Sequence, residues 1–484
     1  MSKPLSRLFF WPGMVLAIAV IERLALWFFY SPVIFDDSNS YRRLAGQILG
    51  SAPFDGTRSP GYPIFLAWLG PDRTVYAVQL ALGLATTLLF FYLGWRITGS
   101  LKVGAAAALI HTLNLGQLLF EADILAETLT TFLAMIAICG GVYLLNTQKD
   151  SFATENTACP GAVQAGEKKE FKKLGIALLI GIAGGLATQV RPQFIFLPFL
   201  IAFVLLLKSF HHKETQSITK NNLQPSTFNP STSSGHRLQL SHLPTFQLAL
   251  ILIPAIFINA LWVNYIHSQF GTWSMSSVDG YHIIQHTGKF FEYVPDEDAP
   301  IRDTFLKYRA IQIAKTGSAS NTIWAAIPEL QKVSGLGFYK LSRKLQDISR
   351  QLILAHPQLY LASVFEAWYN FWSAPFYWRP GAFGAIGNWL TQLQRYLLWA
   401  ANAIFVAGTF TLVFQRVRKI VNMPVTLWLL IAIVWVNSIL QAIVEASENP
   451  RYSVSTQTLV VMIVVWWAYH LIQKWRQPKA NETN

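Results

Sequence analysis

Cysteine is nearly absent from this chain: two residues in 484, Cys139 within an apolar run and Cys159 in a polar stretch. So few thiols, set so differently, exclude a disulfide-stapled scaffold. Charge is also scarce. Asp, Glu, Lys and Arg together make up 13% of the chain, where a soluble domain carries about 25%. That shortage excludes an ordinary water-facing globule. Acidic residues are the scarcer sign, 25 against 38 Lys and Arg, for a net charge of +13.

What fills the chain instead is apolar, 52% of all residues. Ten runs approach the roughly 20 residues needed to cross a hydrocarbon core. They are 8–30, 75–95, 101–119, 124–146, 174–190, 193–207, 246–266, 390–414, 424–444 and 453–473. Segments at that depth must satisfy their own backbone, so they read as helices and the fold class as an all-α polytopic membrane protein. The first run is too long for a signal-peptide core and has no small-residue cleavage site after it, so it reads as a retained helix.

The positive charge follows topology. Outside 267–390, every lysine falls on one side of these spans, from Lys3, Lys102 and Lys149 to Lys419, Lys474 and Lys479. The positive-inside rule then puts both termini in the cytoplasm of a plasma (inner) membrane, with no call for a nucleic-acid partner. Three parts follow: 1–266 as an N-terminal transmembrane catalytic module, 267–389 as an extracytoplasmic segment, and 390–484 as C-terminal spans with a basic tail. Residues 31–74 form a first outer loop with juxtamembrane helices. Within the long segment, Phe305 to Ile313 and Leu341 to Leu352 have helical spacing. Residues 357–377 read as an interfacial helix with an aromatic belt, an eleventh span being the alternative. The inner loops 147–172 and 209–245 have linker composition. Their His211, His212, His236 and His242 read as solvated residues.

Ionisable residues collect at the outer helix ends: Asp36, Asp37, Arg42, Arg43 and Arg58, then Glu121, Asp123 and Glu127, then Arg191, then Glu445, Glu448, Arg451 and Tyr452. Charges held at a membrane boundary mark functional sites by default. Arginine grips phosphate oxygens in bidentate fashion, and a carboxylate beside it can accept a proton or hold a divalent cation. Bland readings stand beside these. Arg42 and Arg43 can face lipid headgroups, one acid of the Asp123 and Glu127 pair can cap a helix start, and Arg191 before Pro192 can be an interface anchor. Glu22 and Arg23, inside the first run, read as a structural pair, and His282 and His286 have i, i+4 spacing without a third ligand nearby.

The order of landmarks is informative beyond each one. Asp36-Asp37 after the first span is followed by Arg58-Ser-Pro-Gly-Tyr-Pro and by Ile124-Leu-Ala-Glu127-Thr-Leu. Arg191-Pro192, Asn264-Tyr with Phe270-Gly271, and Glu448-Asn-Pro-Arg451-Tyr452 complete the series. In this order they resemble the GT-C fold glycosyltransferases, relatives of protein O-mannosyltransferases and lipid A aminoarabinose transferases. The resemblance implies inverting transfer of a sugar from a polyprenyl-phosphate donor to a lipid, glycan or protein acceptor on the extracytoplasmic face. It implies Asp36 as base with Asp37 as alternative or helper, and Glu127 as the second acidic position, contested by Glu121 and Asp123. Arg58, Arg191 and Arg451 would hold the donor phosphate, with Arg42, Glu448 and Tyr452 in support. A divalent cation is an open cofactor, to be held by Asp36 and Asp37 if any. The alternative is a secondary transporter or lipid flippase, a class marked by internal repeats and broken midplane helices, or a non-catalytic scaffold; no convincing repeat is visible.

Overall fold

The computed structural model describes residues 5–50, 52–147, 160–221, 243–373, 384–447 and 449–476. Among them every regular element is helical, and a lone β-bridge joins Val33 to Asp123. Eight helices are long and apolar enough to cross a membrane: Phe9–Phe29, Asp72–Thr98, Glu127–Thr147, Lys168–Val190, Pro192–Phe210, Thr245–Phe270, Val425–Val444 and Val454–Arg476.

The remaining two of the ten expected spans differ from expectation, and for connected reasons. Residues 101–119 are not one helix. Leu101–Thr112 ends and Leu115–Phe120 begins anew, with the Asn114 side chain accepting from the Gly116 N–H as its cap. The break strands backbone groups that lipid cannot satisfy. Gln394 satisfies them, donating to the Leu113 carbonyl and accepting from the Leu115 N–H. Gln394 belongs to Gly384–Thr411, a 28-residue helix in place of the expected 390–414. That helix is long enough, but Gln392, Gln394, Arg395 and Asn402 dilute its apolar character below that of the eight.

The expected linkers are shorter than composition implied. Helix Pro160–Val190 extends back through the basic stretch, and Leu197–Asn221 runs past Lys213. His236, His242 and Cys159 lie outside the described residues, while Cys139 is buried and donates to the Leu89 carbonyl.

Residues 271–373 form a second helical body with its own apolar core. Tyr281, Ile284, Phe291, Phe305, Ile323, Leu330, Leu341, Leu345 and Ile348 are all buried there. Ala299–Thr316 and Phe338–Ala355 contain the two stretches that helical spacing picked out. Pro357–Phe371 has 15 residues, short of a full span by length. It packs on Val425–Val444 in the opposite sense. Tyr360 donates to the Ile443 carbonyl near its start, and Trp368 stacks on Trp435 near its end.

Close helix approach in both bodies depends on glycine. In the bundle a Cβ at Gly181 would meet the Ile251 carbonyl of the neighbouring helix, the small-residue contact that membrane helices use in place of hydrophobic drive. In the second body, Gly280 lies against the Ser342 backbone with no room for a methyl group. Gly280→Ala should therefore lower stability by about 1–3 kcal/mol through overpacking. Gly46→Ala, where a Cβ meets nothing within 4 Å, should be neutral or gain about 0.5–1 kcal/mol of helix propensity. Thermal unfolding of both variants in lipid nanodiscs checks the contrast.

Candidate functional site

One end of the bundle gathers the landmark residues, and a short backbone pairing starts the assembly. Val33 accepts from the Ile124 N–H and donates to the Ala122 carbonyl, fixing the 121–126 loop beside the chain leaving the first helix. Gln79 donates to the carbonyls of Glu121 and Asp123 and accepts from the Tyr62 hydroxyl. This loop therefore enters Glu127–Thr147 in one orientation.

Asp36 and Asp37 open helix Asp36–Leu49, where the positive end of the helix favours acidic residues. Successive helix positions differ by about 100°, so the two carboxylates diverge. Asp36 is exposed and makes no ion pair among the described residues. Asp37 turns inward, pairs with Arg58, and accepts from Arg451 Nη1 at 2.6 Å.

Glu127 is the second node. Its Oε1 accepts from Arg191 Nη2 at 2.5 Å and also pairs with Arg451 Nε. Arg451 thus joins Asp37 to Glu127, with its side chain only 4% exposed. Tyrosines cover two of the cations: Arg191 lies 5.1 Å from the Tyr452 ring centroid and Arg58 lies 4.9 Å from that of Tyr41. Asp123 sits nearby, fully buried, with neither carboxyl oxygen bonded to a protein donor. Burial and the neighbouring Glu127 charge push its pKa well above the usual carboxylate range. Burial alone would raise Asp37 too. The guanidiniums of Arg58 and Arg451 outweigh that and hold its carboxyl well below the usual range.

Other expected residues go elsewhere. Glu121 pairs with Arg23 at 2.5 Å inside the bundle, filling the space opposite Gly83, and does not meet the site arginines. Arg42 pairs with Asp72 and donates to the Gly70 carbonyl, and Arg43 pairs with Asp55, so both brace the first loop. Glu448 lies outside the described residues. His282 and His286 do not act together: His286 is buried against Ser363, while His282 bonds Glu445. Asp36 and Asp37 do not suit a divalent cation in this arrangement, because they diverge and guanidiniums occupy both Asp37 oxygens. No cluster of three His, Cys, Asp or Glu suited to a metal occurs among the described residues.

A cavity of about 710 Å³ lies between this end of the bundle and the second body. Arg58, Arg191, Tyr41 and Tyr452 line it on the bundle side, and Asp37, Glu127 and Arg451 lie behind them rather than on its surface. The second body contributes Asp279, His282, Gln346 and Arg350. The apolar part of the lining includes Ile195, Ile353, Leu354, Leu440, Ile443 and Val444. Leu354 and Val444 are 76% and 57% exposed, as side chains at an opening towards lipid would be. Sequence reading missed the pairing of His282 with Glu445 and missed Arg350 altogether. His282 and Glu445 were each noticed separately, one for its i, i+4 spacing and the other for its place at an outer helix end, but they come from distant chain segments and no local pattern joins them.

The His282 Nδ1 to Glu445 Oε2 bond, 2.9 Å, ties the two bodies together. Burial alone would lower the imidazole pKa; the hydrogen bond and charge of Glu445, helped by Asp279, raise it above the ordinary value. Glu445 moves the other way, its burial outweighed by His282. Comparison with protein-family models, curated proteins and solved structures finds no significant match.

Two outcomes follow from these charges. Glu127→Gln leaves Arg191 and Arg451 without their shared carboxylate and should cost about 3–5 kcal/mol, the toll of breaking a buried pair, read as a lower unfolding temperature in nanodiscs. The stability His282 contributes should be complete below its unfolded pKa of about 6.5 and fade as pH rises through the raised folded value. The share from Glu445 should be complete above the ordinary carboxylate pKa and fade as pH falls through its lowered one. Unfolding temperature against pH should show both limbs, and Glu445→Gln should flatten them.

Proposed function

We propose that this chain is an integral-membrane glycosyltransferase that moves a sugar from a polyprenyl-phosphate donor to a lipid, glycan or protein acceptor. The site faces the extracytoplasmic side, both termini are cytoplasmic, and the helical scaffold is of GT-C type. One observation carries the reading: three guanidiniums, Arg58, Arg191 and Arg451, converge on two ionised carboxylates, Asp37 and Glu127, beside a cavity with an apolar flank.

That cluster suits the singly charged phosphodiester that joins a sugar to a lipid. Arg58 and Arg191, on the cavity surface, meet the phosphate, and Arg451 reinforces them from behind. The apolar flank at Ile195, Leu354, Ile443 and Val444 suits the first isoprene units, whose burial contributes about 25 cal/mol per Å². In the transfer, an acceptor hydroxyl attacks the anomeric carbon from the face opposite the phosphate and gives its proton to a basic side chain of the site, the C–O bond to phosphate breaks, and configuration inverts. The departing electron pair stays on the phosphate, whose charge the guanidiniums absorb, so no general acid is required.

Asp37 has a defined part in this scheme. In the resting site its carboxylate orients Arg58 and Arg451. A phosphate that engages Arg58 draws that cation away and raises the basicity of Asp37. Asp36, the residue first expected as base, is exposed, and among the described residues it pairs with none of these arginines.

Donor turnover by purified protein in nanodiscs, with a panel of polyprenyl-phosphate hexoses and pentoses and a membrane-lipid extract as acceptor pool, tests the proposal. Release of polyprenyl phosphate is expected. Arg58→Ala, Arg191→Ala and Asp37→Asn should each lower it by about 10²-fold or more, the size of effect seen on removing one preorganised electrostatic contact. Equal turnover in all three variants would overturn the proposal.

A further inference from the structure

The cavity has a second chemical face that the phosphate cluster does not use. Among the ionisable side chains lining it, Arg58, Arg191 and Arg350 are guanidinium cations with no lone pair to take a proton, and Asp279 accepts from the Ser274 hydroxyl. His282 and Glu445 also line it, joined through His282 Nδ1. An ionised carboxylate can only accept, so Nδ1 carries the hydrogen and Nε2 is the ring's open acceptor whenever the imidazole is neutral. Two rigid elements hold the pair from opposite sides. His282 sits on helix Asp279–Thr287, packed through Gly280 on Phe338–Ala355, and Glu445 caps Val425–Val444. The His282 side chain is 33% exposed while that of Glu445 is 7% exposed, so the imidazole is the accessible member and the carboxylate the buried support.

We infer that His282, oriented by Glu445, takes the proton of the acceptor hydroxyl in the transfer proposed above. The step balances. As the acceptor oxygen bonds to the anomeric carbon, its O–H bond breaks and the proton passes to His282 Nε2, while the phosphate leaves with the electron pair of the broken C–O bond. The imidazolium is stabilised by Glu445 and afterwards loses its proton to water. Asp37, behind the arginines, then serves as a positioning residue for the donor side. The two halves of the cavity divide the work: the bundle face receives the phosphate and the second body presents the base to the acceptor.

The groups facing His282 set the pH dependence. Glu445 and Asp279 favour its cationic form, Arg58 opposes it, and the Trp324 ring lies edge-on at 6.0 Å. Since the neutral ring is the active form, turnover should rise with pH through the imidazole titration and then level off.

The inference rests on the transferase reading, and the experiment separates the two. Polyprenyl-phosphate release is measured from pH 5 to 9 for wild type, His282→Gln, Glu445→Gln and Asp37→Asn, with polyprenyl-phosphate binding followed in parallel by thermal shift. His282→Gln should lose about 10²-fold or more of turnover and its acid limb, with binding kept. Glu445→Gln should shift that limb to lower pH, since the carboxylate no longer holds the proton on the ring. Asp37→Asn should be slow but keep the limb at the wild-type position. A wild-type rate and pH profile in His282→Gln would overturn the inference and return the proton to Asp37. If His282→Gln loses polyprenyl-phosphate binding, the Glu445→Gln profile decides: an unshifted limb overturns the inference. No release by wild type across the panel would instead overturn the transferase reading itself.

Discussion

Arg451 is the constraint around which this end of the molecule is arranged. A guanidinium almost wholly withdrawn from water costs several kcal/mol unless carboxylates and hydrogen bonds compensate it. Two carboxylates do so, and they come from the helix after the first span and from the start of the Glu127 helix. Meeting them fixes the last turn, the first loop and the Glu127 helix relative to each other. Glu127 then draws in Arg191, and Asp37 draws in Arg58. The cavity floor is a by-product of satisfying one buried cation.

A second economy of polar groups operates inside the bundle. The interruption at Leu113 and Asn114 and the amide of Gln394 answer one another, as do Asn402 with the Trp372 carbonyl and with Gln457. Each amide makes its helix less apolar and another part of the chain less costly to bury. Hydropathy reads such residues as defects. It therefore found the eight strongly apolar helices readily, joined two short helices into one run, and assigned Gly384–Thr411 bounds that differ from the helix itself.

The site was legible to a similar, uneven extent. Arginines and acids at helix ends could be collected from the sequence because the cost of placing charge at a membrane boundary is itself a signal. Which acid meets which arginine was not, since pairing depends on helix phase and on contacts across hundreds of residues. Asp36 and Asp37 are neighbours in sequence and face different surroundings by one helical step. Glu121 is two residues from Asp123 but serves Arg23. His282 and Glu445 are 163 residues apart, and no local pattern could have joined them. The second body, read only as partly helical, proved to have an apolar core of its own because its helices are amphipathic rather than uniformly apolar.

The separation of Asp37 from Arg451 by 414 positions bears on how the protein is made. At ribosomal speeds of about 5–20 residues per second, roughly 20–80 s pass between synthesis of the carboxylate and of the cation that joins it to Glu127. Within that interval Asp37 can pair with Arg58 and Glu127 with Arg191, two ion pairs with nothing yet to join them. The first loop and the Glu127 helix therefore reach their final register only when the last turn arrives. Truncation before Arg451 would leave both ion pairs charge-balanced but no longer locked to one another, a site whose parts are present and whose register is not fixed.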